Sequence, residues 1–401
     1  MPEHRTVTPA GGLRRANAET VLRYALGVDV FSASDAIDAT GLTRSTVIGL
    51  CDELASLGWL TEAGQDRGTP LGKGRPARLF ALDARRGVVA GIDAGQHNVT
   101  VAVADLRGRT LARTHRTFDG DGLDPEHRVA MTDAALADAL AEAGTGSDAV
   151  LTTVVGIPAP TDETGHSPAG HAGYWSRMNP ELGTALSGHG RVVVENDANL
   201  AAVAESTIGR GRGTASFAAL LAGERFGAGL MVDGSLLHGR HGGAGEMRML
   251  EFVEGVGDAS GLAALARAWG EEAREAGLPR GSALARRPER AVTAEEVFEA
   301  AAGGDPAALD ICSRLGDRLA RVCLVLSSLL DVERVVVVGA IASAAGPVID
   351  RAREALGSYY PPVPEIVPSE LGADAVVVGG IRRGLELVRA NPLDFRLATA
   401  T

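Results

Sequence analysis

Apolar residues recur along this chain with two periods, first helical and then strand-like. Ala18, Val21, Leu22 and Ala25 fall at i, i+3, i+4 and i+7, which predicts a helix from about Leu13. Residues 1–12 lack the pattern and read as a flexible arm. Ser32 with Asp35 makes a capping-box start for a second helix. Thr40-Gly41-Leu42 makes a turn in which Gly41 is free to take the left-handed conformation. Thr43 caps a third helix with an inner stripe of Val47, Leu50, Cys51 and Leu54, and Gly58 ends it. Trp59-Leu60-Thr61 and Leu79-Phe80-Ala81-Leu82 then read as two strands of a hairpin. The Gly/Pro-rich loop between them ends Gly72-Lys73-Gly74-Arg75-Pro76. This order predicts a winged helix-turn-helix over residues 1–82.

A break at Asp83-Ala84-Arg85-Arg86-Gly87 precedes β-branched runs. Val88–Ile92, Thr100–Ala104 and Thr110–Arg116 predict three consecutive strands, followed by a helix near Pro125–Ala143 and a strand near Ala149–Val155. The run Val192-Val193-Val194 breaks off at Glu195-Asn196-Asp197, and an alanine-rich helix begins at once. Strands recur at Ala215–Leu221 and Ala228–Val232. Region 255–302 reads as mostly helical. A long helix near Pro306–Leu330 leads into the strand Val335–Val338, and a final helix runs from about Ala375 to Val388. Strand triplets followed by helices, occurring twice, predict two similar α/β lobes around a cleft. The first lobe is expected at 83–194, completed by a C-terminal helix at 375–395. The second, at 195–374, is expected to carry dimerisation and the ligand cleft.

At 401 residues the chain exceeds one small core, so two or three domains are expected. No run of 18 apolar residues occurs and the first 30 residues lack a signal-peptide core, so the expectation is a soluble cytoplasmic protein with no membrane contact. Net charge is −12 but uneven: residues 1–80 hold 9 Lys+Arg and 9 Asp+Glu, and the remainder carries the whole imbalance. An acidic body repels nucleic acid, so DNA contact must come from the neutral N-terminal part. Cys51, Cys312 and Cys323 show no metal-ligand spacing. Cys312 and Cys323, eleven apart on one predicted helix, read as core thiols.

Candidate chemistry lies in both parts. Arg44, Ser45 and Thr46 stand at the start of the recognition helix, where base and phosphate contacts are made. Lys73, Arg75 and Arg78 crowd into the hairpin, and Arg75, held extended by Pro76, is suited to a minor groove. Asp52 and Glu53 add negative charge to the recognition helix, so the wing and arm must supply much of the attraction to phosphate. The other reading of the unit is a protein-contact module. Asp197 ends a buried strand and opens a helix, where an open α/β sheet presents groups to a ligand. A carboxylate there accepts a proton from a substrate hydroxyl, or it serves only as a helix cap. Gly91-Ile92-Asp93-Ala94-Gly95-Gln96-His97-Asn98 is a phosphate turn or a simple hairpin. Gly223-Glu224-Arg225-Phe226-Gly227-Ala228-Gly229 is a degraded phosphate loop, since Glu224 repels phosphate and Phe226 fills space, or a structural loop. Glu246, after Gly242-Gly243-Ala244-Gly245, is a sugar-hydroxyl acceptor or a surface acid. His171, near His166 and His189, is a weak ligand-contact candidate.

Together these pieces resemble the ROK family of repressors, open reading frames and sugar kinases, from about Leu13 to Val388. Gly91-Ile92-Asp93-Ala94-Gly95 resembles its first phosphate turn, and Val155-Gly156-Ile157-Pro158-Ala159-Pro160 its Gly/Pro loop. Trp175 resembles the tryptophan upstream of the catalytic segment. Glu195-Asn196-Asp197-Ala198-Asn199 matches the segment holding a sugar-binding Asn and a catalytic-base Asp. Gly245-Glu246 resembles the sugar-binding Gly-Glu, and Gly339-Ala340 stands at a nucleotide-binding Gly-Gly. The resemblance implies a two-lobed actin-like, ribonuclease-H-like sugar-kinase fold behind a winged helix. Departures weigh against catalysis. Met249 stands at the family's histidine, no cysteine follows for its zinc, and its Gly-Thr-Gly has become Gly223-Glu224-Arg225. The expected protein is a transcriptional regulator, a homodimer or homotetramer on a double-stranded DNA operator. Its body would sense a small-molecule effector, a sugar or sugar derivative, through Asn196, Asp197, Glu246 and His171. Asp197 would be a vestigial base, with no cofactor and no metal. The alternatives are an ATP-dependent sugar kinase that keeps Asp197 as base, and a scaffold whose cleft is vestigial.

Overall fold

Three helices and a small sheet open the chain in the computed structural model, which describes residues 9–65, 77–118, 124–170, 173–285, 290–359 and 362–398. α1 (Pro9–Gly27) begins four residues before its expected start and buries Ala18, Val21, Leu22 and Ala25. A two-residue strand, β1 (Phe31–Ser32), leads into α2 (Ala33–Thr40), where Ser32 and Asp35 cap each other reciprocally. Gly41 ends α2 at φ 69°, a left-handed angle that disfavours a Cβ. α3 (Arg44–Ser56) is capped by Thr43 and buries Val47, Leu50, Cys51 and Leu54. β2 (Leu60–Gln65) and β3 (Arg78–Leu82) pair antiparallel, and β3 lies between β1 and β2. The two acids of α3 are not bare, which corrects the charge argument made from sequence. Glu53 accepts from Arg14, and Asp52 accepts from Arg78 at 2.8 Å. The expected hairpin tip, with Lys73 and Arg75, lies outside the described residues.

Two five-stranded mixed sheets follow, and the chain is an α/β protein. The first comprises β4 (Val88–Ala94), β5 (Asn98–Asp105), β6 (Thr110–Thr117), β7 (Val150–Ile157) and β8 (Arg191–Asn196). Between its strands come α4 (Pro125–Glu142), α5 (Tyr174–Met178) and α6 (Leu182–Ala185). The strand order is β6-β5-β4-β7-β8, an antiparallel meander extended by two parallel strands. β7 is buried along its whole length, as a central parallel strand requires. After α7 (Asp197–Thr207), the second sheet repeats the pattern with β9 (Phe217–Leu221), β10 (Gly227–Val232) and β11 (Ser235–Leu236). α8 (Leu262–Ala276), α9 (Ala294–Ala302) and α10 (Pro306–Leu330) precede β12 (Arg334–Val338), and α11 (Gly346–Leu356) precedes β13 (Glu365–Pro368). Its order, β11-β10-β9-β12-β13, is the first sheet's order again. α12 (Ala375–Ala390) ends the main fold.

Three sequence expectations need correction. Region 255–302 is helical only in part, because loops separate α8 from α9. α11 was not anticipated, since it opens on Gly346-Pro347, a pair that reads as a turn although Pro suits the first helical turn. β13 was missed too, being a four-residue edge strand that ends on Pro368.

α7 and α12 cross at the centre of the body. A Cβ at Gly379 of α12 would overlap the Leu200 carbonyl oxygen of α7, and one at Gly229 of β10 would overlap that of Ala198. The backbones therefore touch, and only glycine fits at these points. α12 also covers the first sheet, with Gly380 against Gly91. The N-terminal unit shares this core: Leu22, Trp59 and Phe80 belong to one apolar cluster with Val89, Leu151, Ile381 and Leu385. Among the described residues no helix is long and apolar enough to cross a membrane.

Candidate functional site

Strand ends of both sheets face one cleft of about 880 Å³. The end of β4 supplies Asp93, the β8–α7 junction supplies Asn196 and Asp197, and the segment after β11 supplies Glu246. Asn196 caps α7, accepting the Asn199 N–H at 3.2 Å and donating to the Ala159 carbonyl at 3.3 Å. The cap is therefore Asn196 and not Asp197, which corrects the expectation that Asp197 serves as the helix cap. Asp197 begins the helix, and its Oδ1 accepts the Ala198 N–H at 2.8 Å. Burial pushes its carboxyl well above the usual range, and the Asp93 and Glu246 charges push the same way. Burial likewise raises Asp93 to about 7 against the pull of Arg128. Glu246 is raised by burial against Arg225 and Arg248. Three carboxyls thus meet at one cleft, each disfavoured as an anion, each suited to hydroxyl groups.

The shell behind them was only partly legible in the sequence. Glu195 is buried and accepts from the Asn196 N–H at 2.9 Å, the Asn199 amide at 2.9 Å and the His238 ring at 3.0 Å. Burial alone would raise its carboxyl, but these donors hold it below the usual range. Buried Arg128 of α4 donates to the Ala94 and Gly95 carbonyls at 2.8 and 2.9 Å and so fixes the turn after β4. Tyr174 Oη donates to Gln96 Oε1 at 3.2 Å, which binds α5 to the same turn. Asp93 and Glu195 did have a signal, an acid at the end of a β-branched run. Arg128 had none, because its partners lie more than thirty residues earlier.

The loop at Gly223–Gly229 is engaged internally. Glu224 is tied to Arg267 at 2.6 Å. Phe226 is buried at the cleft floor, with its N–H on the Ala259 carbonyl at 2.8 Å. Buried Arg318 lies over its ring and donates to the carbonyls of Val256, Asp258 and Ser260. Gly245, at φ 85°, passes so close to the Ala228 carbonyl oxygen that a Cβ would overlap it, which sets Glu246 at the cleft. Residues 250–265 contain neither cysteine nor histidine. Among the described residues no group of three or more His, Cys, Asp or Glu side chains converges on a metal site. The donor set does not fit the zinc that the resemblance implies. His171 lies outside the described residues.

In the N-terminal unit, Arg44 and Ser45 are exposed at the start of α3. Thr46 is half-buried, its hydroxyl 2.9 Å from that of Thr43. Arg78 bonds Asp52 and, at 3.2 Å, Glu62, and lies over Phe80. Its charge is shared within the unit.

A family model described as the ROK family matches residues 89–382. The chain is 29% identical to a glucokinase of Halalkalibacterium halodurans over 208 residues, which is 47% of this chain and 62% of the glucokinase. It is 23% identical to the DNA-binding transcriptional dual regulator NagC of Escherichia coli K12 over 343 residues, 83% of this chain and 82% of NagC. The solved structure of a ROK family transcriptional regulator, a homologue of the E. coli MLC protein, superposes with a TM-score of 0.69 at 21% identity. It covers 95% of this chain and 98% of its own. At that identity the likeness shows the fold.

Proposed function

The chain belongs to the ROK family, and from that premise we propose that it is a DNA-binding transcriptional regulator whose kinase-like body binds a sugar or sugar derivative without phosphorylating it. The observation that carries this reading is the unit of α1–α3 and β1–β3, continuous in its core with the body. The glucokinase match covers 47% of this chain, while the NagC match covers 83% and the MLC-homologue likeness 95%. We read α2, the Gly41 turn and α3 as a helix-turn-helix, with Arg44 and Ser45 free to meet base edges and phosphates. β2 and β3 form the stem of the wing. The ion pairs on Asp52 and Glu53 offset part of the charge that would oppose DNA there. A homodimer or homotetramer sets two such units on a two-fold operator. Asn196, Asp197 and Glu246 then take effector hydroxyls. A cytoplasmic location and the lack of a cofactor belong to the same reading.

The test is a salt-dependent titration on operator fragments selected from the source genome, and on random DNA. Arg44→Ala should cost about 1–3 kcal/mol at defined base positions. Arg75→Ala should flatten preference for A·T-rich flanks. Lys73→Ala should weaken binding to all sequences and lower the salt slope by about one. Wild-type behaviour of all three variants would return the unit to a protein-contact role. One observation favours the sugar-kinase reading: Asp197 lies on the cleft wall with its carboxyl poised toward protonation. Against it, the Gly223–Gly229 loop spends Glu224 and the Phe226 N–H on its own neighbours. ATP-dependent phosphorylation of any common sugar, abolished in Asp197→Asn, would reinstate the enzyme.

A further inference from the structure

The cleft wall supplied by the second sheet is not wholly acidic. An antiparallel bridge between Gly227 and Glu246 brings two segments side by side. Arg225 lies two residues before one partner of that bridge, and Arg248 two residues after the other. Both line the cleft, both are exposed, and both act electrostatically on the Glu246 carboxyl. Arg177, from α5, lines the same cleft with its Nε buried and unpartnered. Among the described residues no side-chain ion pair or hydrogen bond joins any of the three guanidinium groups. Glu224 and Asp258 each have another partner, although Asp258 also feels the Arg225 charge. Glu224 is on Arg267, and Asp258 accepts the Ser260 N–H at 2.8 Å with Arg318 at 3.4 Å. Glu251 also lines the cleft, so the wall carries both signs.

A neutral sugar uses the carboxyls and leaves these guanidinium groups without partners. A sugar bearing an anion uses both, and guanidinium is well matched to a phosphate or carboxylate through paired donors. We propose that the effector is an anionic sugar derivative, its hydroxyls held by Asp197 and Glu246 and its phosphate or carboxylate held by Arg225 and Arg248. This rests on the sensor reading above and narrows its ligand class.

Calorimetric titration of the full chain tests it, using glucose and N-acetylglucosamine, the 6-phosphate of each, glucuronate, and inorganic phosphate. An anionic sugar should bind at least about tenfold more tightly than its neutral parent. That advantage, read as the ratio of anionic to neutral affinity within one variant, should vanish in the Arg225→Gln/Arg248→Gln double variant. The phosphate and glucuronate arms tell which anion the site takes. Should the double variant fail to fold, salt dependence decides on the wild type: affinity for the anionic sugar should fall with added salt and that for its parent should not. Equal or tighter binding of the neutral parent overturns the inference but leaves the sensor reading standing. So does an anionic advantage that survives the double variant, or inorganic phosphate binding as tightly as the sugar phosphate. Failure of every sugar, neutral or anionic, overturns the sensor reading itself.

Discussion

Residue by residue, the cleft shows one side chain type put to different uses by its surroundings. Glu195 is held ionised by three donors, whereas Asp93 and Asp197, with fewer, are pushed toward protonation. Asp93 makes a stability prediction with a definite sign. Its folded carboxyl titrates near 7 and its unfolded one near 3.8, so the folded state binds the extra proton between those values. Stability is therefore lost as pH rises from about 4 to 7. Asp93→Asn should stabilise the protein at pH 8, by about 4 kcal/mol at most. The gain should fade below pH 4. Urea denaturation at both pH values reads this, and an equal effect at both would mean that Asp93 is not the titrating group. Asp197→Ala should weaken the effector about tenfold, since truncation leaves a buried hydroxyl without its partner, which costs on the order of 1–3 kcal/mol. An unchanged effector titration would place the ligand elsewhere.

At the level of elements, glycine has opposite meanings at two helix positions. Gly379 lies where α12 meets the backbone of α7, and a Cβ there has no space that a side chain could yield. Gly379→Ala should destabilise by roughly 3 kcal/mol or more, through displacement of the crossing. Gly49 lies within α3 with nothing within 4 Å of a built Cβ. Gly49→Ala should stabilise by about 0.5–1 kcal/mol, because it removes unfolded-state freedom at no steric cost. Thermal unfolding of the two variants should shift in opposite directions. A shared direction would show that local propensity, and not the crossing, governs both.

Across the whole molecule, α12 connects the two ends. Val376, in its first turn, lines the cleft. In its last turn the Arg389 and Ala390 carbonyls accept from Arg23 of α1, both at 3.2 Å. Its 16 residues span about 24 Å as a single rigid element. Movement of the cleft wall would therefore reach α1, and through it α2 and α3, which pack against it. Arg23→Ala should leave effector affinity and operator affinity near wild type while reducing the ratio of operator Kd with and without effector. That ratio is the coupling itself, which must be reciprocal between the two sites. An unaltered ratio would assign the coupling to another path.

The elements themselves were legible because their causes are local. Caps at Ser32 and Thr43, the stripe from Val47 to Leu54, the meander of β4 to β6 and the long α10 all follow from neighbours within a few residues. The repeat of strand triplets foretold two like sheets for the same reason. The junction at Asn196 and Asp197 was legible as a place, since a β-branched run must end somewhere and an alanine run must begin. What that place does was decided elsewhere. Asp93, Asp197 and Glu246 come from segments far apart in the chain, and only chain crossing brings them to one cleft. Their proton affinities depend on burial and on charges brought near by the fold, neither of which has any expression in local pattern. Arg128 and Arg318 act on carbonyls remote in sequence, and Asp52 pairs with an arginine on a later strand. The sequence by itself determined which residues repeat, cap and turn, because those are contacts of near neighbours. Tertiary structure decided which charges are paired, which are buried and which stay free to meet a ligand, because electrostatic energy depends on distance and surroundings in space.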